Sequence, residues 1–391
     1  MNKVMNVKIT GIIAEYNPLH AGHLYHMDET RRRTGCDYVI CALSGWFTQR
    51  GEPAQFDKFA RVEMALAAGI DAVFELPQVY ALRPAQFFAR GGVGILSALG
   101  VDALSFGCET EDVDTLLKAQ GLISRVTPED MEEALSRGES YPRALSAAVS
   151  DKDGSLSHLL HSPNFVLALE YISELKRVGS NAEVCPILRN APYHEESDGE
   201  NSASSVRRML REGRRGEVLS SLPEEIAALY RRELVSGCPD PQKLDTLLLW
   251  ALRRADPGSV RSPDDAEGLF RRVQAAALGS ASFEEALRTA KCKRYTLSRI
   301  RRLMMNAILS LPDAPEAPPY LRLLGAKKSA EPLLKELASR SGRRIVTRAA
   351  ELKDDAVFRA ECRASELWGL ATGDDGYRRA GREFTRGFIS L

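Results

Sequence analysis

The chain has 391 residues, with 53 lysines and arginines against 53 aspartates and glutamates, so its formal net charge is zero. That length allows two or three domains, and the charge balance names no partner: any nucleic-acid contact must come from local basic patches. Seven scattered cysteines without a C-x-x-C pair argue against a disulfide framework or a cysteine zinc site; no run of about 18 apolar residues occurs, and Lys3, Asn6 and Lys8 interrupt any secretory segment, so a cytoplasmic protein with no membrane span is expected.

Residues 7–16 (VKITGIIAEY) read as a buried strand, broken by the turn pair Asn17-Pro18. A helix follows over 22–33, then strand 37–44 (DYVICALS), the polar loop GWFTQRGEPA, a helix over 57–68 and strand 71–77 (DAVFELP). A helix over 85–98 and strand 101–107 complete the series. Strand, helix and strand at this spacing predict βαβ units and a doubly wound parallel sheet, an α/β fold. Residues 111–178 are mostly helical, including a helix over 162–178, and 182–188 offer one more strand. The stretch RNAPYHEESDGENSASS is polar and turn-rich. Beyond 215 the apolar period is 3.6, with helices over 222–235, 241–254, 264–278, 281–289 and 293–311. LPDAPEAPPY (311–320) reads as a linker, and the last unit mixes two short apolar runs with helices over 328–340 and 355–371. The expected division is 1–215 as a catalytic α/β domain, 216–312 as a helical domain and 313–391 as a small α+β unit.

Three of the six histidines fall in seven residues, at His20, His23 and His26. His20-Ala21-Gly22-His23 lies between a strand and a helix start. Ligands bind at the carboxyl ends of strands in such sheets, where a helix N-terminus offers free N–H groups to an anion. Gly22 admits a phosphate without a Cβ in the way, and two imidazoles three apart share one face of the first turn. They can donate hydrogen bonds to phosphate oxygens during an in-line displacement. H-x-x-H is also a metal-ligand spacing, but no cysteine is near and Gly22 would then serve nothing, so no protein-bound metal is expected. His26, a turn further on, reads as a flanking residue. A second constellation is Ser202-Ala203-Ser204-Ser205-Val206-Arg207: Ser204 or Ser205 can cap a helix, and Arg207 can pair with the β/γ phosphates.

H-A-G-H with its upstream Asn-Pro, and S-A-S-S-x-R in place of I-S-S-T-x-x-R, resemble the HIGH-motif nucleotidyltransferase superfamily. The stretches AEYNPLHAGHLYHM, SGWFTQRGEPA, FELP, SFGCE, SPNFVLALEY and RNAPYHEE…SASSVRRML, continued by KRYTLSRIRRLM and PPYLRLLGAKK, are together similar to the bacterial tRNA(Met) cytidine acetate ligase family. The resemblance implies a Rossmann-like domain followed by a mostly helical half. It implies ATP, as substrate with Mg²⁺, reacting with acetate to give acetyl-adenylate. The acetyl group then passes to N4 of the wobble cytidine of elongator tRNA(Met). His20 and His23 are the implied catalytic pair. The implied ATP contacts are Gly11, Ile12, Ile13, Ala14, Glu15, Tyr16, Asn17, Pro18, Leu19, His20, Ala21, Gly22, His23 and Leu24, with Gly107, Asn164, Arg189, Ser205 and Arg207 further along. Trp46 departs from the small polar residue or histidine expected there.

Lys291, Lys293, Arg294, Arg299, Arg301 and Arg302 form a basic tract with no acidic residue before Asp313. Leu297, Ile300, Leu303, Met304, Ile308 and Leu311 give its apolar stripe, and Tyr295 an aromatic for base stacking. This face is expected to bind RNA through Lys291, Lys293, Arg294, Arg299 and Arg302. Arg378, Arg379, Arg382 and Arg386 form a second, weaker tract. Two other readings stand beside the ligase: a small-molecule adenylyltransferase or cytidylyltransferase, and a non-catalytic RNA-binding protein with a nucleotide switch.

Overall fold

The computed structural model describes residues 7–139, 141–189, 202–265 and 268–391. Eight strands form one sheet: β1 (Ile9–Ala14), β2 (Tyr38–Ser44), β3 (Ala72–Leu76), β4 (Ala103–Cys108), β5 (Glu183–Leu188), β6 (Leu321–Ala326), β7 (Ile345–Val346) and β8 (Ile389–Ser390). Their order is β5-β4-β1-β2-β3-β6-β7, with β8 beside β6. The first five are mutually parallel. Parallel strands are covered on both faces, which is why VICALS and AVFEL are continuous buried runs. Helices Ala85–Ala98 and Pro163–Arg177 pack on one face. Helix Lys58–Ala67 packs on the other, in the same core as helices Pro241–Arg254 and Leu297–Leu309. The expected α/β fold, with a helical region after it, is present. From β1 the chain winds outward to β2 and β3, then returns with β4 on the other side of β1. That reversal opens a crevice at the carboxyl ends of β1 and β4.

The helical region shares its core with the sheet: Ile12 and Leu43 belong to the same buried cluster as Leu248 and Leu303. The segment expected as a separate small unit also joins the sheet. β6 runs antiparallel to β3, pairing Ala72 with Ala326 and Phe74 with Leu323. The proline-rich stretch is fastened rather than loose: Tyr80 donates to the Pro315 carbonyl (3.0 Å) and Arg83 to that of Pro312 (2.6 Å). Proline lacks an N–H but keeps its acceptor, so such a segment can be held by donors from the core.

Buried charges lock this arrangement. Lys58 Nζ lies 2.7 Å from Glu75, 2.5 Å from Glu383 and 3.5 Å from Glu361, and Arg322 pairs with Glu75 (2.7 Å) and Glu383. Burial pushes the Glu361 carboxyl up to about 8, with Lys58 opposing and the neighbouring Glu75 and Glu383 adding to the rise. For Glu383, burial is outweighed by Lys58 and Arg322, and its carboxyl is held down at about 2. Trp46 is fully buried; its indole N–H donates to Glu383 (2.7 Å) and its ring packs 5.2 Å from Trp368. Its departure from the expected residue type therefore serves packing. Among the described residues no helix is long and apolar enough to cross a membrane.

Candidate active site

The crevice is built by the end of β1. Tyr16 adopts a left-handed conformation (φ 44°), the Asn17–Pro18 peptide is cis, and the helix Ala21–Thr34 starts immediately after. His20 is its N-cap: Nδ1 accepts from Gly22 N–H at 3.0 Å, while His23 Nδ1 accepts from His20 N–H at 3.3 Å. This is a capping box with imidazoles in the roles usually held by Ser and Glu. The two rings lie 3.9 Å apart, and Tyr16 meets His23 edge-on at 4.9 Å. A ring nitrogen that accepts a backbone N–H carries no proton, so each neutral imidazole carries its proton on Nε2. Burial, then Arg189 and Arg207, lowers His20 to about 4. Burial, then His20, Arg189 and His26, holds His23 well below its usual value. At neutral pH the pair presents two neutral donors. His26 is lowered to about 4 by burial and Arg189, and its Nε2 is 3.1 Å from Ser105 Oγ on β4, bridging the crevice floor.

The other expected residues converge from two sides. Arg207 reaches back to the turn, donating to the Asn17 carbonyl (2.6 Å) and to Glu52 (3.2 Å). The cap of its helix, Ala203–Arg211, is Ser202, whose Oγ accepts from Ser205 N–H (3.1 Å), rather than Ser204 or Ser205. Ser205 is buried, and its hydroxyl donates to the Ser202 carbonyl (3.2 Å). On the β4 side, a Cβ at Gly107 would lie 3.4 Å from the Arg189 side chain. Asn164 donates to Glu109 (2.8 Å). Arg189 lowers all three histidines, which places its charge beside their row.

Residues 11–24 divide into a mostly buried strand and turn and the half-buried first turn of the helix. Gly11 and Ile12 are paired with both β2 and β4. A Cβ at Gly11 would strike Leu96 at 2.8 Å, and Ile13 packs into the space above Gly92, so these residues hold the strand in the core. Ala14 ends β1, and Leu19 is buried beneath the helix start. Glu15 is half-buried, accepts from Gln49 N–H (2.6 Å), and is raised by desolvation against the opposing effects of that N–H, Arg50 and Arg61. Pro18, Ala21, Gly22 and Leu24 form the rest of the turn and the first helical turn.

Sequence reasoning missed Arg61. It is fully buried and donates to the carbonyls of Glu15 (2.7 Å), Ser44 (3.1 Å), Phe56 (3.2 Å) and Gly45, tying the carboxyl ends of β1 and β2 together. Burial lowers it to about 10. The spacing Lys58, Arg61, Ala65 is that of one helix face, but two charges on it argue for solvent.

Three comparisons bear on this geometry. The profile of the family described as HIGH Nucleotidyl Transferase matches residues 7–382. The tRNA(Met) cytidine acetate ligase of Caldanaerobacter subterraneus subsp. tengcongensis is 34% identical over 380 residues, covering 92% of this chain and 94% of that protein. That of Fervidobacterium nodosum is 36% identical over 362 residues, covering 88% and 84%. The chain belongs to the tRNA(Met) cytidine acetate ligase family. Among solved structures, apo Thermotoga maritima TmcAL superposes with a TM-score of 0.91 at 30% identity, over 98% of this chain and all of that one. The same protein bound with alpha-thio ATP gives 0.88 at the same identity and coverage. The fold of the ligase family, a nucleotidyltransferase domain with a helical region after it, therefore extends along nearly the whole chain.

The expected basic face of this family member is differently built. The helix begins at Leu297, capped by Thr296, so Lys291, Lys293 and Arg294 lie exposed in the preceding turn. Arg302 is held by buried Asp264 at 2.8 and 2.9 Å, and Arg299 donates to the Asp264 carbonyl (3.1 Å). Tyr295 is 8% exposed and covered by Arg299, its ring centroid 4.9 Å away, so it offers no open face for a base. Leu297, expected in the core, is 46% exposed. In the second tract, Arg382 binds Asp57 and Arg386 binds Glu63 (3.2 Å). The turn-rich residues 190–201 lie outside the described residues.

Proposed function

We propose that the chain activates acetate with ATP and acetylates N4 of the wobble cytidine of elongator tRNA(Met) in the cytoplasm. The observation that carries this is the pair of neutral Nε2–H imidazoles at the crevice, flanked by Arg189 and Arg207, in a chain matching the ligase family end to end. An acetate oxygen attacks the α-phosphorus and the bond to the β-phosphate oxygen breaks, giving acetyl-adenylate and pyrophosphate. His20 and His23 donate to the phosphoryl oxygens where negative charge builds, and need no proton loss or gain to do so. Arg207, with the first turn at Gly22, offsets the charge of the departing pyrophosphate; Arg189, Gly107 and Asn164 border the nucleotide on the β4 side. The cytidine N4 then attacks the acetyl carbonyl carbon and AMP leaves, the N4 proton passing to solvent. Mg²⁺ would travel on the phosphates and their waters. The acidic groups fit that reading: Lys58 fills the Glu75, Glu361 and Glu383 cluster, and Glu15 and Glu52 are engaged by Gln49 N–H and arginines. Exposed Lys291, Lys293 and Arg294 supply phosphate contacts for the tRNA. The test is pyrophosphate release from ATP that requires acetate, followed by acetyl transfer to tRNA(Met). A small-molecule transferase or a passive binder releases none under those conditions.

A further inference from the structure

Glu52 stands between two arginines from distant parts of the chain. Its Oε2 accepts from Arg207 Nη2 at 3.2 Å and its Oε1 from Arg301 Nη1 at 3.3 Å. Behind it, Arg301 Nη2 donates to both oxygens of Glu284, at 2.8 and 3.0 Å. The row Glu284, Arg301, Glu52, Arg207 and the Asn17 carbonyl is therefore continuous from the helical region to the turn that carries the histidines.

The loop under Glu52 has little freedom. Thr48 N–H donates to the Glu52 carbonyl and Gly51 N–H to that of Thr48, each at 2.8 Å, and Ala54 N–H donates to Trp46 at 2.9 Å. Gly51 has φ +79°, and a Cβ there would stand 2.8 Å from Arg301 Cγ and 3.3 Å from its backbone carbon. Loop and helix Leu297–Leu309 thus meet with no side chain between them, and only glycine permits it. The side chains of Arg207 and Arg301 are each one-fifth exposed and that of Glu52 one-third, so the row is only partly screened by solvent.

We infer that Glu52 is a positioning residue for acetate activation: backed by Arg301, it fixes the plane of the Arg207 guanidinium for the ATP phosphates. Arg207 is held at Nη1 by Asn17 and at Nη2 by Glu52, so the order of a long side chain is established before the nucleotide arrives and is not charged against binding. The inference rests on the reading of Arg207 as a phosphate ligand. It gives the helical region a part in the first half-reaction, which needs no RNA.

The experiment measures acetate-dependent pyrophosphate release without tRNA, over a range of ATP concentrations, for full-length Glu52→Gln, Arg301→Gln, Arg301→Lys, Arg207→Gln and the doubles Glu52→Gln/Arg301→Gln and Glu52→Gln/Arg207→Gln. Glu52→Gln and Arg301→Gln are each expected to raise KM for ATP roughly threefold to tenfold, the low end of coupling within one ion-pair network. Their double should be no worse than the worse single, and Arg301→Lys should recover part of the loss. In the Arg207→Gln background, Glu52→Gln should add nothing, a result that a general loss of folding would not give. Unchanged KM in Glu52→Gln and Arg301→Gln beside an impaired Arg207→Gln overturns the positioning role and leaves Arg207 in the site. Additive losses, or tighter ATP binding in Glu52→Gln, overturn it equally. An unimpaired Arg207→Gln removes Arg207 from the phosphates, and the inference falls with it.

Discussion

Replacing Lys58 with Met should cost about 4 kcal/mol of stability at pH 7 and only about 1 kcal/mol at pH 5. Lys58 and Arg322 face Glu75, Glu383 and Glu361 in a fully buried group. Because Glu361 is pushed up to about 8, it keeps its proton at pH 7, and two positive charges balance two negative ones. Removing Lys58 leaves one carboxylate uncompensated, and the least costly response is to take up a second proton. Protonating a carboxyl of ordinary pKa, about 4.3, at pH 7 costs about 3.7 kcal/mol, inside the range of about 3–5 for breaking a buried pair from one side. At pH 5 the same step costs about 1 kcal/mol. The sign follows from proton counting. Glu361 already gives the folded wild type one proton more than the unfolded chain from roughly pH 4.5 to 8, so stability falls as pH rises through that window. The variant holds one more again, so its deficit should grow by about 1.4 kcal/mol per pH unit. Urea unfolding of both proteins at pH 5, 6 and 7 reads this, followed by tryptophan fluorescence, since Trp46 donates to Glu383 and packs on Trp368. A deficit independent of pH, or no deficit at pH 7, would refute the charge count.

His23→Ala should lower tRNA-independent acetyl-adenylate formation at saturating ATP by about 100- to 1000-fold, as for one lost oxyanion donor; single-turnover measurement checks it. Because His20 titrates at about 4 in the ATP-free protein, kcat/KM for ATP should show no inflection from it between pH 6 and 8. Neutralising Lys291, Lys293 and Arg294 together should flatten the salt dependence of tRNA binding by roughly 0.7 per lost contact to single-stranded phosphate, leaving pyrophosphate release without tRNA intact. Arg302→Gln should instead act on folding, lowering the thermal midpoint, since it abandons buried Asp264. Excess EDTA should abolish pyrophosphate release, and full activity there would contradict the proposed need for Mg²⁺.

The parallel core of the fold was legible because its strands are short apolar runs between turn residues, and β1 to β5 fall within two residues of the expected ends. β6 was recognisable as an apolar run but not as part of the same sheet: its partner, β3, lies far away in sequence, and no local signal encodes an antiparallel edge. The H-A-G-H turn was legible because its chemistry is contained in four consecutive residues. Arg61 and Lys58 were not, since a charge on a helix ordinarily marks the wet face. The same rule misplaced Arg299 and Arg302, whose partner Asp264 lies in a preceding loop rather than on their own helix.

The antiparallel seam between β3 and β6 also has a bearing on biosynthesis. Arg322 follows Glu75, its partner across that seam, by 247 residues. At about 5–20 residues per second of translation, β3 waits roughly 12–50 s after its own emergence for the strand that covers its edge. Through that interval the nascent chain carries an open strand edge, with Glu75 and Lys58 still lacking Arg322, Glu361 and Glu383, in a form open to edge-to-edge aggregation. A chain interrupted before residue 321 never leaves that condition, so the α/β half of this ligase is a poor candidate for expression on its own, and its yield in a cell depends on residues 321–391 arriving.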